Sequence, residues 1–378
     1  MNRVFRCFAI VLILLFLMGV SVGAQDTDTL YRQQLQASGA EDLITRLPSD
    51  VQELLAEYNL DTLNPTDFTN LQLEQVISAL LTSLSRHASG PLNVVGTLLG
   101  VVLLSALFTG LEGDGHALGL RRTYHSVAVL GTAGAVLVPL FHLLETVSRS
   151  VEQVTVFLGA YVPVYGAILL SGGRGVSALS YQTTLLGASQ LLMWLLYAGV
   201  FPAVTVSLAL GCTGSLAEGF CLESISSTIH KTILWTLGLF STLFSGLLSI
   251  QQMVAAAGDS LSGRVLRFSL SSFVPVVGGL LSEAYSTVVG CAGLLRSTVG
   301  CFGLVAVCLL VLPPLLSCVC WNLGLHLAAG AAGLFQLSPV EKLCRTAAGA
   351  VRVLIAVLAA LALLMVVSTT VIVFSAGR

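Results

Sequence analysis

Long apolar runs constrain the fold of this chain most strongly. A helix needs about 20 apolar residues to cross the hydrocarbon core of a bilayer. Runs of about that length lie near residues 91–111, 126–144, 154–171, 183–211, 232–251, 269–290, 298–322 and 353–374. A weaker run at 323–338 is left open as a further span, a re-entrant segment or a surface helix. Only 10% of the 378 residues are charged, whereas soluble domains carry about 25%. The sequence therefore predicts an all-α, polytopic membrane protein.

The first 90 residues differ from the membrane domain that follows at 91–378. Residues 1–24 contain two arginines, an apolar stretch and a small-residue cleavage site, which is typical of a signal peptide. An uncleaved anchor is the alternative. Residues 25–90 hold ten acidic residues against three arginines and show helical apolar spacing. We therefore expect an acidic helical region outside the cytoplasm, which either packs on the membrane domain or binds an extracytoplasmic partner.

Two parts of the membrane domain resemble each other at a spacing of 112 residues. Residues 161–169 and 273–281 share a Val-Pro-Val core. The same spacing pairs Pro202 with Pro314 and Gly134 with Gly246. This pattern predicts an internal repeat, with units at about 123–211 and 235–323 that contain three apolar runs each. Three crossings per unit would make the repeat inverted, whereas re-entrant Val-Pro-Val runs would make the copies parallel.

Proline and glycine inside the two Val-Pro-Val runs are the candidate pore or helix-break positions. Proline removes a backbone donor and kinks a helix, and backbone at membrane depth opens only where protein or water shields it. The alternative is that these residues only help helices to pack. The candidates are Pro163, Gly166, Pro275, Gly278 and Gly279.

Glu283 is the most informative ionisable residue, since it lies within the apolar run 269–290. A charge at the bilayer centre costs about 2.5–3.5 kcal/mol on insertion scales, so such a group normally faces a partner or water. Arg296 would be a partner if the chain turned back between them. A solvated position near the interface is the alternative. The first repeat has Ser171 at the equivalent position.

Basic residues orient the predicted spans. If residue 25 lies outside, the eight runs all cross and 323–338 does not, eight basic residues fall in inside connectors and four fall outside, in agreement with the positive-inside rule. If 323–338 also crosses, the last three basic residues move outside and the agreement fails. The inside residues are Arg121, Arg122, Arg174, Arg264, Arg267, Lys342, Arg345 and Arg352.

Sequence motifs for catalysis are absent. The chain has no Gly-x-x-x-x-Gly-Lys-Ser/Thr loop, no His-Glu-x-x-His and no Gly-x-Ser-x-Gly. The six histidines lack the spacing of metal ligands. We therefore expect no enzyme, no cofactor and no metal site. The weak charge of the membrane domain also argues against nucleic-acid binding.

Two stretches carry a family resemblance. Residues 272–284, Ser-Phe-Val-Pro-Val-Val-Gly-Gly-Leu-Leu-Ser-Glu-Ala, continue to Val288-Val289-Gly290 and resemble stage III sporulation protein AE of endospore-forming bacteria. Residues 158–170 are similar to the earlier Pro-Val segment of that family. The resemblance covers nearly the whole mature chain and brings no catalytic residues.

The resemblance implies a function after engulfment during sporulation. It implies a subunit of the channel-like complex between mother cell and forespore, located in the mother-cell membrane and needed for late forespore gene expression. The implied partners are other proteins of the stage III sporulation A operon, including a secretion-type ATPase, and indirectly stage II sporulation protein Q. A homo-oligomer is a further possibility. The alternatives are a stand-alone secondary transporter and a purely structural platform.

Overall fold

The computed structural model describes residues 27–57, 63, 96–97, 99–104, 118–216, 222–273 and 278–375. The predicted signal peptide and Pro275 lie outside these ranges. Helices account for nearly all of the described residues, which contain no strand. The helices are α1 (Thr27–Ser38), α2 (Asp42–Thr45), α3 (Ser49–Glu57), α4 (Leu118–Ser171), α5 (Gly175–Leu195), α6 (Phe201–Leu216), α7 (Leu222–Phe273), α8 (Gly278–Leu334) and α9 (Ser338–Ser375).

Five helical stretches in the described part of the chain are long and apolar enough to cross a membrane. They are Leu130–Ser171, Gly175–Ser215, Glu223–Leu266, Ser286–Leu334 and Ser338–Val371. The prediction of an all-α, multi-pass membrane protein is therefore confirmed. Each stretch has 34 to 49 residues, so at 1.5 Å per residue it is longer than the roughly 30 Å hydrocarbon core.

Two predicted connectors, 145–153 and 252–268, are helical. The first lies in the middle of α4, and the second belongs to the C-terminal part of α7. The exposed side chains of Glu145 and Arg149 form an ion pair of 3.1 Å one turn apart on α4. The division into separate apolar runs at these two places is therefore wrong, because the charged residues there belong to continuous helices. The weak run at 323–338 continues α8 as far as Leu334.

The long helices pack in antiparallel pairs around α9. Tyr161 and Tyr165 of α4 contact Gly303 and Gly300 of α8, in reversed order along the two helices. On α9, residues 348 and 365 likewise lie near residues 322 and 303 of α8. Helix α9 contacts α4, α6, α7 and α8. In the most apolar 18-residue stretch of each helix, 67% of α9 is buried, against 22% of α7. Helix α9 is therefore central and α7 peripheral.

Corresponding helices of the predicted repeat run in the same direction. Helix α5 is antiparallel to α7, since Val176 bonds Asp259 and Thr184 bonds Gln251. Helix α4 is antiparallel to α5, which follows it after a tight turn, and α4 is also antiparallel to α8. Therefore α4 is parallel to α7, and α5 is parallel to α8. The inverted form of the repeat is wrong, because each unit contains two long helical passes instead of three. The duplication itself stays a prediction.

The basic residues that were predicted to lie inside occupy both ends of this bundle. Arg174 follows Gly172, which lies beside Ala292 of α8, whereas Asn322 of α8 bonds the N-terminal half of α9, near Lys342. The 30 residues between positions 292 and 322 span about 45 Å of helix. Arg174 and Lys342 therefore lie at opposite ends, and the count of eight basic residues on one side is wrong.

The N-terminal helices pack on the long helices. Helix α1 contacts α4 and α8, and the Gln34 side-chain amide donates to the Val288 carbonyl at 3.3 Å. The buried apolar residues of this region include Tyr31, Leu35, Leu43, Leu47 and Leu55. For residues 27–57, the structure thus supports packing on the membrane domain, the first of the two predicted alternatives.

Candidate functional site

Pro163 lies inside α4 and does not end it. The helix continues for two further turns to Ser171, although proline lacks the donor for the usual bond to residue 159. The proline is exposed. It lines a groove of about 400 Å³ together with Val156, Gly159, Ala160 and Val164 of α4 and Gly39, Asp42, Leu43 and Arg46 of the N-terminal region. Pro163 therefore faces the N-terminal helices.

Gly166 is the contact point at which α5 approaches α4. A Cβ at this position would overlap the side chain of Gln182. The Gln182 amide donates to the Pro163 carbonyl at 3.5 Å. The structure thus brings Pro163 and Gly166 together at the α4–α5 contact. Gly166 acts in helix packing, which is the second of the two alternatives predicted for these residues.

The candidates of the second repeat lie at the start of α8. Gly278 and Gly279 are its first two residues, and Glu283 follows within its second turn. Pro275 and the Glu283 side chain lie outside the described residues. Because Glu283 and Arg296 share one continuous helix, 13 residues separate them by about 20 Å. The pairing that required the chain to turn back between them is therefore wrong.

A stack of buried aromatic rings fills the space beside the first Val-Pro-Val stretch. Phe157, Tyr161 and Tyr165 lie four residues apart on α4, and their ring centroids are 5.6 and 5.4 Å apart in sequence order. Tyr181 of α5 lies 5.3 Å from Tyr165, and Phe302 of α8 lies 6.3 Å from Phe157. All five rings are at most 1% exposed. These rings join α4, α5 and α8.

Gly303 allows three helices to meet at this stack. A Cβ on Gly303 would lie 2.5 Å from the Tyr161 ring and 2.7 Å from the Met365 methyl group. The Tyr161 hydroxyl donates to the Val299 carbonyl at 3.3 Å. Tyr161 therefore lies directly against the backbone of α8, and Met365 of α9 approaches the same glycine.

Asp259 of α7 caps the N-terminus of α5. Its two carboxylate oxygens accept hydrogen bonds from the Val176 and Ser177 amides at 2.8 and 2.9 Å. The first amides of a helix have no partner within the helix, and a carboxylate there also interacts favourably with the helix dipole. Asp259 is 8% exposed. It thereby fixes the α4–α5 turn, where Gly173 has a φ of +74°, against α7.

Replacing Asp259 with asparagine is expected to lower the free energy of unfolding by about 1–2 kcal/mol, because one charged acceptor is lost. Thermal unfolding of the purified protein in detergent would show this as a lower Tm. Ser260→Ala is the matched control, since Ser260 is exposed and bonds only within α7. Equal Tm values for the two variants would contradict the capping role.

Two arginines lie near the same turn. Arg174 precedes α5, and Arg296 projects from α8; each interacts electrostatically with Tyr165. Burial lowers the pKa of Arg174, while the Asp259 carboxylate acts in the opposite direction. Both guanidinium groups stay charged at neutral pH, because arginine loses its proton only in strongly alkaline solution. The α4–α5 turn therefore has two positive charges beside the single carboxylate of Asp259.

A second polar cluster lies toward the other end of the bundle. The His230 ring of α7 is 2.8 Å from the Ser207 hydroxyl of α6 and packs on Gly349 of α9. A groove of about 340 Å³ lies near it, lined by Gly211, Gly214, Glu223, Ser224, Ser227, Lys342 and Thr346. Within the described residues, no group of three His, Cys, Asp or Glu side chains could hold a metal ion.

Comparison with known proteins identifies the family. A sequence profile described as stage III sporulation protein AE matches residues 61–376. The chain belongs to the stage III sporulation protein AE family. A curated stage III sporulation protein AE from Bacillus subtilis (strain 168) is 22% identical over 241 residues, which cover 64% of this chain and 60% of the relative. No solved structure matches the chain. The family resemblance predicted from the sequence is thus confirmed, and this family member is a multi-pass membrane protein of a sporulation family.

Proposed function

We propose that this chain is a membrane subunit of the mother cell–forespore complex, and that it contributes to a conduit or export gate. Membership of the stage III sporulation protein AE family carries the proposal. The complex would act after engulfment and support late forespore gene expression. Its other members would be proteins of the stage III sporulation A operon, including a secretion-type ATPase, with stage II sporulation protein Q as an indirect partner. The mother-cell membrane around the forespore is the proposed location.

The aromatic stack argues against a conduit through the centre of a single chain. Rings from α4, α5 and α8 fill the space beside Val-Pro-Val, so a path through the centre of one chain at this level would have to displace them. A conduit would instead pass between subunits. The weakly buried helix α7 is suited to face lipid or a second subunit, because its exposed side chains include Trp235, Leu243, Ile250, Met253, Val254 and Phe268.

Inverted repeats and Glu283 within an apolar run would be the arguments for a stand-alone secondary transporter. The parallel directions of α4 and α7 and of α5 and α8 weaken the first argument, and the second stays open. The chain also lacks a nucleotide-binding loop, so energy for export would come from a separate ATPase. A structural platform stays as the alternative within the same complex.

Deletion of the gene in its spore-forming host tests the proposal. We expect engulfment to finish, a late forespore transcription reporter to stay silent and heat-resistant spores to fall by several orders of magnitude. A wild-type copy should restore both readouts. Normal spore formation after deletion would contradict the proposal.

Cysteine accessibility separates a conduit from a platform. A cysteine at Gly159 has open space, whereas one at Gly166 would overlap Gln182, so Gly159→Cys is the better probe of the first Val-Pro-Val level. Gly278→Cys probes the second. In a background without reactive native cysteines, a conduit predicts labelling of one or both by a water-soluble maleimide in the assembled complex. Protection of both sites would favour the platform.

A further inference from the structure

Arg296 lies in the interface between α4 and α8. A Cβ on Gly172 of the α4–α5 turn would lie 3.4 Å from the Ala292 side chain, and one on Gly300 would lie 3.4 Å from the Tyr165 hydroxyl. Residues four apart share one face of a helix. Arg296 lies between Ala292 and Gly300 in sequence, so it occupies the same face of α8, between Tyr165 and the turn.

The positive charge of Arg296 has no matching carboxylate among the described residues. Its Nε is buried without a hydrogen-bond partner. Both oxygens of Asp259 already accept from the Val176 and Ser177 amides. Because the Nε is withdrawn from water and has no partner, the charge is incompletely compensated, so this position favours an anion.

Other donors lie around the same position. Arg174 interacts electrostatically with Arg296, so two positive charges repel each other there. The Tyr165 hydroxyl is fully buried and has no hydrogen-bond partner. Arg174 and Arg296 are both partly exposed, so the position is not sealed from its surroundings. The Arg296 Nε and the Tyr165 hydroxyl are therefore two donors without a partner in the described part of the protein.

We propose that Arg174, Arg296 and Tyr165 form a binding site for a phosphate-bearing anion at the α4–α5 turn. Guanidinium groups match the oxygens of phosphate in charge and geometry, and the anion would relieve the repulsion between the arginines. Anionic phospholipid headgroups and free phosphate share this chemistry. The site does not depend on the proposed export function, since it follows from the charges and contacts around the turn.

Ligand-induced stabilisation of the purified full chain tests the site. The probes are inorganic phosphate and short-chain phosphatidylglycerol, with short-chain phosphatidylcholine as the neutral control. In a non-ionic detergent, we expect phosphatidylglycerol or phosphate to raise Tm with a saturable dependence on concentration. Arg296→Gln should weaken the apparent affinity at least tenfold. Arg149→Gln is the matched control, because Arg149 is exposed and paired with Glu145 within α4.

Tyr165→Phe provides an independent variant. It removes a hydroxyl that bonds nothing in the protein, so the fold should persist, while the apparent affinity for the anion should fall about fivefold, as expected for one hydrogen bond of about 1 kcal/mol. Without added anion, Arg296→Gln should unfold at the same or a higher Tm than the wild type, because it removes an uncompensated charge. If Arg296→Gln does not fold, Tyr165→Phe decides the question.

The outcomes distinguish the sources of the anion. A response to phosphatidylglycerol alone indicates a lipid headgroup, and a response to inorganic phosphate indicates that free phosphate binds as well. Equal responses of the wild type and the folded variants would overturn the proposal. An equal response to phosphatidylcholine, or no response to any probe, would also overturn it.

Discussion

Replacing Tyr161 with alanine is expected to lower the free energy of unfolding by about 3–5 kcal/mol. The ring is fully buried and stacks on Phe157 and Tyr165, so its removal leaves a cavity between α4 and α8. The measurement is the Tm of the purified protein in detergent, together with the amount of protein that accumulates in cells.

Two control variants separate the loss of the buried ring from the loss of an exposed side chain or of one hydrogen bond. Val156→Ala changes an exposed side chain of the same helix, 60% exposed, and should leave Tm nearly unchanged. Tyr161→Phe keeps the ring and removes only the bond to the Val299 carbonyl, which is worth about 1 kcal/mol. If Tyr161→Ala behaved like Val156→Ala, the aromatic stack would not hold these helices together.

Replacing Gly303 with valine is expected to cost about 3 kcal/mol or more, at or beyond the upper end of ordinary overpacking. Its Cβ would lie 2.5 Å from the Tyr161 ring and 2.7 Å from the Met365 methyl group, and a buried ring on α4 has little room to move. Either α4 or α9 must shift away from α8. The change should appear as a large fall in Tm and as faster proteolysis of the folded protein.

Gly293→Val is the control on the same helix, since a Cβ there meets no atom within 4 Å. Coupling to Tyr161 gives a sharper test. Tyr161→Leu shortens the side chain that blocks residue 303, so the double variant with Gly303→Ala should be more stable than the sum of the single effects implies. Strict additivity would show that Tyr161 is not what restricts position 303.

The membrane class follows from the sequence, but the helix boundaries do not. The scarcity of charge and the apolar runs determine the class. Glu145 and Arg149 interrupt an apolar run in sequence, yet on a helix they neutralise each other one turn apart and leave the backbone intact. A hydropathy pattern cannot distinguish such a charged helical surface from a loop. Merging these runs also changed the number of passes in each repeat, and with it the direction of the copies.

The key contacts of the candidate site were beyond the reach of sequence reasoning for a different reason. Asp259 bonds backbone amides 82 and 83 positions away, and backbone partners leave no residue signature. The sequence around Gly303 does not distinguish it from other glycines in apolar helices. Only the structure shows that Tyr161 packs against it. The spacing of Phe157, Tyr161 and Tyr165 at every fourth position was available as a signal for one buried helix face. Pro163, a candidate predicted from the sequence, lies on the exposed side of that helix.

The central position of α9 has a consequence for the order of events during synthesis. Ribosomes deliver helices from the N-terminal end, so α4 to α8 reach the membrane before the helix that they surround. Until α9 arrives, His230 lacks the Gly349 backbone on which it packs, and Asn322 lacks its bond to the Ala348 carbonyl. A nascent chain halted before α9 should therefore leave these polar groups without their partners, and we expect it to be degraded faster than the full-length chain.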